Sequence, residues 1–266
     1  VPVGFQDPSA GFGSKAQIVS GNASLDPETS NSLTIGAILQ PRLLPGLHIA
    51  IDYFRINLRD AVETVGLDTI VRACYDVDPP SQNACDLIVR KPNSEIETVY
   101  LSPINIGALK FEGIDFAVDY RTDAGTLWNQ PLALSFAFQG SYTLRYDYIP
   151  DATRPENVIQ KKDSGSAPKF RGNLTVGAEI DRLNLAWTMR YISSSRNDPN
   201  AGAEQFNINH VPARLYNDLY ATYEISDRFR LGGGVNNLLD TKPPLLRSNY
   251  HDVVGRYFFL TANLKL

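Results

Sequence analysis

The stretch Pro131-Leu-Ala-Leu-Ser-Phe-Ala-Phe-Gln-Gly-Ser-Tyr-Thr-Leu-Arg-Tyr146 alternates along almost its whole length. Leu132, Leu134, Phe136, Phe138, Tyr142, Leu144 and Tyr146 share one parity, with Gly140 the single gap. Ala133, Ser135, Ala137, Gln139, Ser141, Thr143 and Arg145 share the other. Successive side chains of a strand point to opposite faces, so the split in parity is a split between a greasy face and a wet one. The run exceeds the ~5–6 residues of an ordinary strand. It covers the roughly 9–11 residues that a tilted strand needs to cross a bilayer core. Membrane-spanning barrels are built from such strands. One strand of this kind also fits a β-sandwich with its apolar face inward, so the rest of the chain has to decide.

Five other segments repeat the pattern. Leu174, Val176, Ala178 and Ile180 alternate with Asn173, Thr175, Gly177 and Glu179, and Leu183, Leu185, Trp187, Met189 and Tyr191 with Asn184, Ala186, Thr188 and Arg190. Ile49, Ile51 and Tyr53 alternate with His48, Ala50 and Asp52, and Ile114, Phe116, Val118 and Tyr120 with Gly113, Asp115, Ala117 and Asp119. Near the end Phe258, Leu260, Ala262, Leu264 and Leu266 oppose Tyr257, Phe259, Thr261, Asn263 and Lys265. The wet faces carry Arg, Asp, Glu and Asn, which a dry sandwich core does not accept unpaired. They suit a water-filled or plugged lumen, and the expected fold is an all-β transmembrane antiparallel barrel.

A hydrophobic fraction of 43% resembles that of a soluble protein, as expected when only every second strand residue meets lipid. The net charge of −4 offers no basic footprint, so nucleic acid is not an expected partner. No apolar run approaches the ~18 residues of a membrane helix.

Connections alternate between short and long. Short ones are expected at Pro41–Gly46, Asp181–Arg182 and Ser226–Arg228, with a medium one at Thr122–Gln130. Long ones are expected near Arg59–Ile104, Asp147–Ala167, Ser194–Val211 and Asp240–Val254. In outer-membrane barrels short turns face the periplasm and long loops the exterior. The longest loop, at about 59–104, contains an expected short helix over Leu67–Tyr75 and a hairpin from Leu87–Arg90 to Ile96–Leu101. Cys74 and Cys85 lie within it, separated by Pro79, Pro80, Ser81 and Asn83. In an oxidising compartment such a pair forms a disulfide; otherwise it is two free thiols. About nine long strands are expected between residues 32 and 266, and residues 1–31 read as the end of an extracellular loop. An open sheet would leave edges unpaired in lipid, and single-chain bacterial barrels have even strand numbers. The chain therefore reads as the C-terminal portion of a larger barrel.

Specific motifs punctuate this pattern. Gly-Asn-Ala-Ser-Leu-Asp-Pro-Glu-Thr-Ser at Gly21–Ser30 is followed by Asp52, Tyr53, Phe54 and Ile56, by Gly113-Ile114-Asp115-Phe116, and by Asn236-Asn237-Leu238-Leu239-Asp240. Tyr250, Asp252, Gly255, Arg256 and Tyr257 complete the series. In order and in kind this series resembles the barrels of TonB-dependent outer-membrane receptors, from Gly21 to Leu266. The chain departs from that family at its last residue, Leu266, where an aromatic is usual. The resemblance implies a barrel of about 22 strands, an N-terminal plug domain and TonB box upstream, and a bacterial outer-membrane location. It also implies uptake of a scarce solute of the siderophore-iron, cobalamin or oligosaccharide class. The implied partners are membrane lipid, the plug, a TonB-type energy-coupling protein acting through it, and the small-molecule or oligosaccharide ligand. A cysteine pair in the loop before Gly-Ile-Asp is frequent in such proteins. A passive porin-like or adhesin-like barrel is the alternative, and a soluble carbohydrate-binding β-sandwich is the alternative of another class.

No catalytic constellation is expected. His48, His210 and His251 are scattered rather than spaced for zinc, and Gly232-Gly233-Gly234 lacks the Lys-Ser/Thr of a phosphate loop. No enzyme activity, metal site or cofactor is therefore expected. Asp115, Asp119, Arg145, Arg171, Glu179 and Arg190 on the wet faces are expected to line the lumen, either as a solvated wall or as contacts for a plug or solute. Tyr146, Tyr148, Arg247, Tyr250 and His251, near the long loops, are the candidate ligand contacts through stacking and hydrogen bonding.

Overall fold

A computed structural model describes residues 16–19, 21–64, 66–75, 80, 82–105, 107–150, 155–202, 204–245 and 250–265. Nine long strands form its main sheet: β1 (Thr29–Leu39), β2 (Leu47–Arg59), β3 (Ala108–Leu127), β4 (Gln130–Ile149), β5 (Phe170–Ile180), β6 (Leu183–Ile192), β7 (Arg214–Ser226), β8 (Phe229–Asn236) and β9 (Tyr257–Leu264). Each strand is hydrogen-bonded to its sequence neighbours, so the sheet runs in chain order from β1 to β9. Among the described residues the outer flanks of β1 and β9 carry no partner strand. The fold is all-β and is an open segment of barrel wall, in agreement with the alternation read from the sequence.

Register puts the apolar residues in rows. Phe136, Val176, Trp187, Leu219, Val235 and Phe258 stand opposite one another across six strands, as do Leu134, Ala178, Leu185, Ala221, Gly233 and Leu260. This face is uncovered: Trp187 is 41% exposed, Leu219 40% and Leu260 85%. A contiguous apolar surface of this kind marks an interaction site, here with hydrocarbon. Asn217 is the polar intruder on it. Its Oδ1 accepts the indole N–H of Trp187 at 3.1 Å and its carbonyl accepts the N–H of Leu238 at 2.6 Å, so the buried amide is not left unpaired.

The glycines of the wall make room for rings. Gly140 faces Gly172 across β4 and β5. A Cβ on Gly140 would come within 2.8 Å of the Phe138 ring, which occupies the gap. On the opposite face Gly234 stands between Tyr220 and Phe259, whose rings stack over it with centroids 5.9 Å apart.

Short connections at 40–46, Trp128–Asn129, Asp181–Arg182 and Asp227–Arg228 alternate with long ones at 60–107, 150–169, 193–213 and 237–256. The medium connection expected at Thr122–Gln130 is in fact a two-residue turn. Trp128 and Asn129 both have positive φ, 53° and 61°, the backbone signature of a type I′ hairpin. Asp123, Gly125 and Thr126 have the composition of a turn, but their backbones extend the ladder instead.

Contacts divide the chain into two compact units, and most of the sheet lies in the one formed by Asn31–Asn57, Leu109–Tyr148 and Val158–Leu266. The other comprises Val1–Ser30, Leu58–Ala108 and Ile149–Asn157. It holds helices α1 (Leu67–Tyr75) and α2 (Gln82–Cys85), and a small sheet of Ala16–Ile18, Ile96–Tyr100 and Ile88–Arg90. Ile70, Cys74, Ala84 and Val99 form its buried core. Cys74 and Cys85 are joined in a disulfide, with Cα atoms 4.9 Å apart, and tie α1 to α2. In the same unit the side chain of Asn105 holds three backbone groups, the N–H and C=O of Asp26 and the C=O of Asp60.

Candidate functional site

The wet face of the wall carries its charges in register. Gln139, Asn173, Arg190 and Tyr216 form one row across β4 to β7, flanked by Ser141–Arg171–Ile192–Arg214 and Ala137–Thr175–Thr188–Asp218. With Asp52 and Asp115 from β2 and β3, the β4 to β6 members of the first two rows line a concavity of about 630 Å³ towards the long-connection end of the strands. Alternation forces this arrangement, because burying the other parity against hydrocarbon leaves these side chains to face inward.

Two arginines dominate the concavity, in different states. The Arg190 guanidinium is neutralised: its Nε donates to Asp218 Oδ2 at 3.0 Å, and its Cζ lies 5.2 Å from the centroid of the fully buried Tyr216 ring. Arg171 makes no ion pair among the described residues. Its Cζ stands 5.0 Å from the Tyr250 ring centroid, a cation–π contact, and the residue lines the concavity. A positively charged, aromatic-backed donor fork of this kind recognises carboxylate-like oxygens in pairs.

Tyr250 is delivered by the connection between β8 and β9, whose start is firmly built. Asn237 is fully buried with φ 50°. Its side-chain amide accepts from the Thr241 N–H at 2.8 Å and donates to the Thr241 carbonyl at 3.0 Å, closing a loop that only a left-handed residue begins without strain. Asp240 follows, its Oδ1 accepting the N–H of Arg256 at 3.3 Å. The hydrogen bond from Lys242, then that from Arg256, holds its carboxyl below the usual carboxylate range. The Tyr250 hydroxyl donates to the Ser166 carbonyl at 3.2 Å. His251 beside it is buried, and burial followed by the Arg214 charge lowers its pKa.

Of the five candidate contacts read from the sequence, Tyr250 lines the concavity, whereas His251 is buried and does not line it. Tyr146 instead packs on Phe111, which touches Phe54, with ring centroids 5.2 and 5.1 Å apart. Tyr148 is buried under Lys161, whose Nζ is 5.3 Å from its ring centroid. Arg247 lies outside the described residues. Asp115, Arg171 and Arg190 are brought together as lumen residues, whereas Arg145 pairs with Asp147 at 2.5 Å and Glu179 with Arg121 at 2.6 Å. Asp52, Gln139 and Asn173 join the concavity without having been singled out. They share its parity in the sequence, but only register aligns them.

A wall of long strands, apolar on one face and charged on the other, with a polar concavity on the charged face, defines part of a transmembrane β-barrel. The chain belongs to the TonB dependent receptor-like β-barrel family, whose sequence model matches residues 3–238. That family comprises receptors and transporters of the outer membrane rather than enzymes. Among curated proteins no significant match is found. The fold is similar to that of a mutant of the ferric enterobactin receptor PfeA from Pseudomonas aeruginosa in complex with enterobactin, with TM-score 0.60 and 17% identity over 92% of this chain and 32% of that one. It is also similar to the siderophore receptor PirA from Acinetobacter baumannii (0.57, 14%, 92% and 33%). The FrpB iron transporter from Neisseria meningitidis is comparable (0.57, 16%, 93% and 32%). The chain thus spans about a third of the length of these proteins.

Proposed function

We propose that this chain forms part of the barrel of a bacterial outer-membrane receptor. In this reading the receptor takes up a ferric siderophore with energy delivered by a TonB-type protein through a plug domain. The observation that carries this reading is the polar concavity on the lumen face, where the Arg171 guanidinium backs onto Tyr250 with no ion pair among the described residues. A chelate rich in anionic oxygens matches that chemistry better than a neutral oligosaccharide does. The receptors of similar fold, described as handling ferric enterobactin, siderophores or iron, support the same class. The long connections, including 60–107, face outward in this reading, the segment before β1 ends an outer loop, and the outer row of Phe136, Trp187 and Leu219 meets lipid.

Deleting the gene should abolish uptake of at least one radioiron-labelled ferric siderophore, and a protonophore should stop that uptake in the intact strain. Uptake that persists with the protonophore would point to a passive barrel. Loss confined to cobalamin or an oligosaccharide would move the substrate class. Within the receptor, Arg171→Gln removes a charge-assisted contact of about 1.5–3 kcal/mol and should weaken binding of the transported chelate at least about tenfold.

A further inference from the structure

Asp218 on β7 holds two structures at once. One carboxylate oxygen, Oδ2, accepts from Arg190 Nε at 3.0 Å, and Arg190 lines the concavity. The other, Oδ1, accepts the backbone N–H of Asn237 at 2.7 Å. Asn237 is the residue on which the 237–256 connection turns. It is fully buried, left-handed and bonded twice to Thr241, and Thr241 Oγ1 in turn donates to the Leu215 carbonyl on β7 at 3.2 Å. The same connection returns to the concavity through Tyr250, which covers Arg171, and closes on Asp240 through the Arg256 N–H. The wall of the concavity and the root of the connection therefore share one carboxylate.

We propose that Asp218 is a positioning residue that couples the state of Arg190 in the concavity to the anchoring of Asn237–Thr241. The charge of Asp218 is divided between a guanidinium and a backbone N–H. Drawing Arg190 towards an anion in the concavity leaves Asn237 as the partner of Asp218 among the described residues and changes the geometry that fixes the turn. In reverse, releasing Asn237 frees the carboxylate to swing and alters the direction in which Arg190 presents its donors. Coupling of this kind acts both ways by thermodynamic necessity.

Amide hydrogen exchange on the full receptor in membranes tests this without any ligand. Arg190→Gln should raise exchange at Asn237–Thr241 about tenfold. Asp218→Asn should do at least as much, and Arg121→Gln, which breaks a comparable wall ion pair with Glu179, should leave that segment unchanged. A general loss of stability would raise exchange throughout β7 and β8 as well. Unchanged exchange at Asn237–Thr241 in Arg190→Gln, or an equal rise in Arg121→Gln, would overturn the proposal. A second arm rests on the siderophore reading and uses ferric enterobactin as probe. The probe should shift exchange at Asn237–Thr241 in the wild type but not in Asp218→Asn. If the probe does not bind, the siderophore reading suffers and the first arm still decides the coupling. If it binds to the wild type without a shift, the coupling is overturned.

Discussion

His251 is buried beside Arg214 in the connection that carries Tyr250, and both burial and that neighbouring charge disfavour its protonated form. A base whose pKa is lowered on folding binds a proton less readily folded than unfolded. Its contribution to stability is intact above the ordinary value near 6.5 and is lost as pH falls through that value towards the lower folded one. Asp240 acts in the same sense but in a lower window. Its lowered carboxyl contributes above the ordinary 3.8 and is lost only in stronger acid, so it is silent where His251 titrates. Proteolysis of the 237–256 connection, at matched protease activity, should therefore increase between roughly pH 7.5 and 5.5. His251→Gln should flatten that dependence, and a wild-type connection equally resistant at both pH values would contradict it.

Each strand of the wall is a two-faced element, and its faces answer to different solvents. Val176 sits between Phe136 and Trp187 on the apolar face, while the neighbouring Thr175 bonds Thr188 on the wet face, Oγ1 to Oγ1 at 3.0 Å. Val176→Arg should destabilise the barrel by about 2–4 kcal/mol, the range for a cation near the bilayer midplane. Thr175→Arg should cost far less, and urea-dependent unfolding from lipid vesicles compares the two. Equal losses would mean that the faces are misassigned. The unit built around α1 and α2 is a different kind of element, small in core and dependent on its staple. Replacing Cys74 and Cys85 together by serine should remove about 3 kcal/mol of restraint on that unit. Cleavage within 60–107 should accelerate while the heat-resistant electrophoretic mobility of the barrel stays the same.

The sheet as a whole presents exposed Trp187, Leu219, Phe258 and Leu260 and has two flanks without partner strands among the described residues. Apolar area of this extent and open ladder groups both drive association in water. The chain should be monodisperse only in detergent or lipid, as judged by sedimentation with and without amphiphile. A detergent-free monomer would contradict the membrane assignment. The same surface explains why bulk composition is uninformative: a face of Arg171, Arg190, Asp218 and Glu224 offsets a face of Phe136, Trp187 and Leu260, and only their segregation carries the signal.

Parity determined which residues share a face of the wall, because a strand's period of two leaves no freedom, and the charges on the wet parity pointed to a membrane barrel over a sandwich. The short connections read at Asp181–Arg182 and Ser226–Arg228 coincide with the observed turns at Asp181–Arg182 and Asp227–Arg228. Gly140 was legible as a gap, though not the Phe138 ring that fills it. The site was legible only in part. Arg171, Arg190 and Tyr250 stood out as charged or aromatic residues in the right places, but nothing local tells that Arg190 is neutralised by Asp218 while Arg171 has no carboxylate partner among the described residues. That difference depends on register across three strands and on a connection that returns to the wall at Asn237 and again at Tyr250. Such contacts join residues far apart in the chain, and only the tertiary structure decides them.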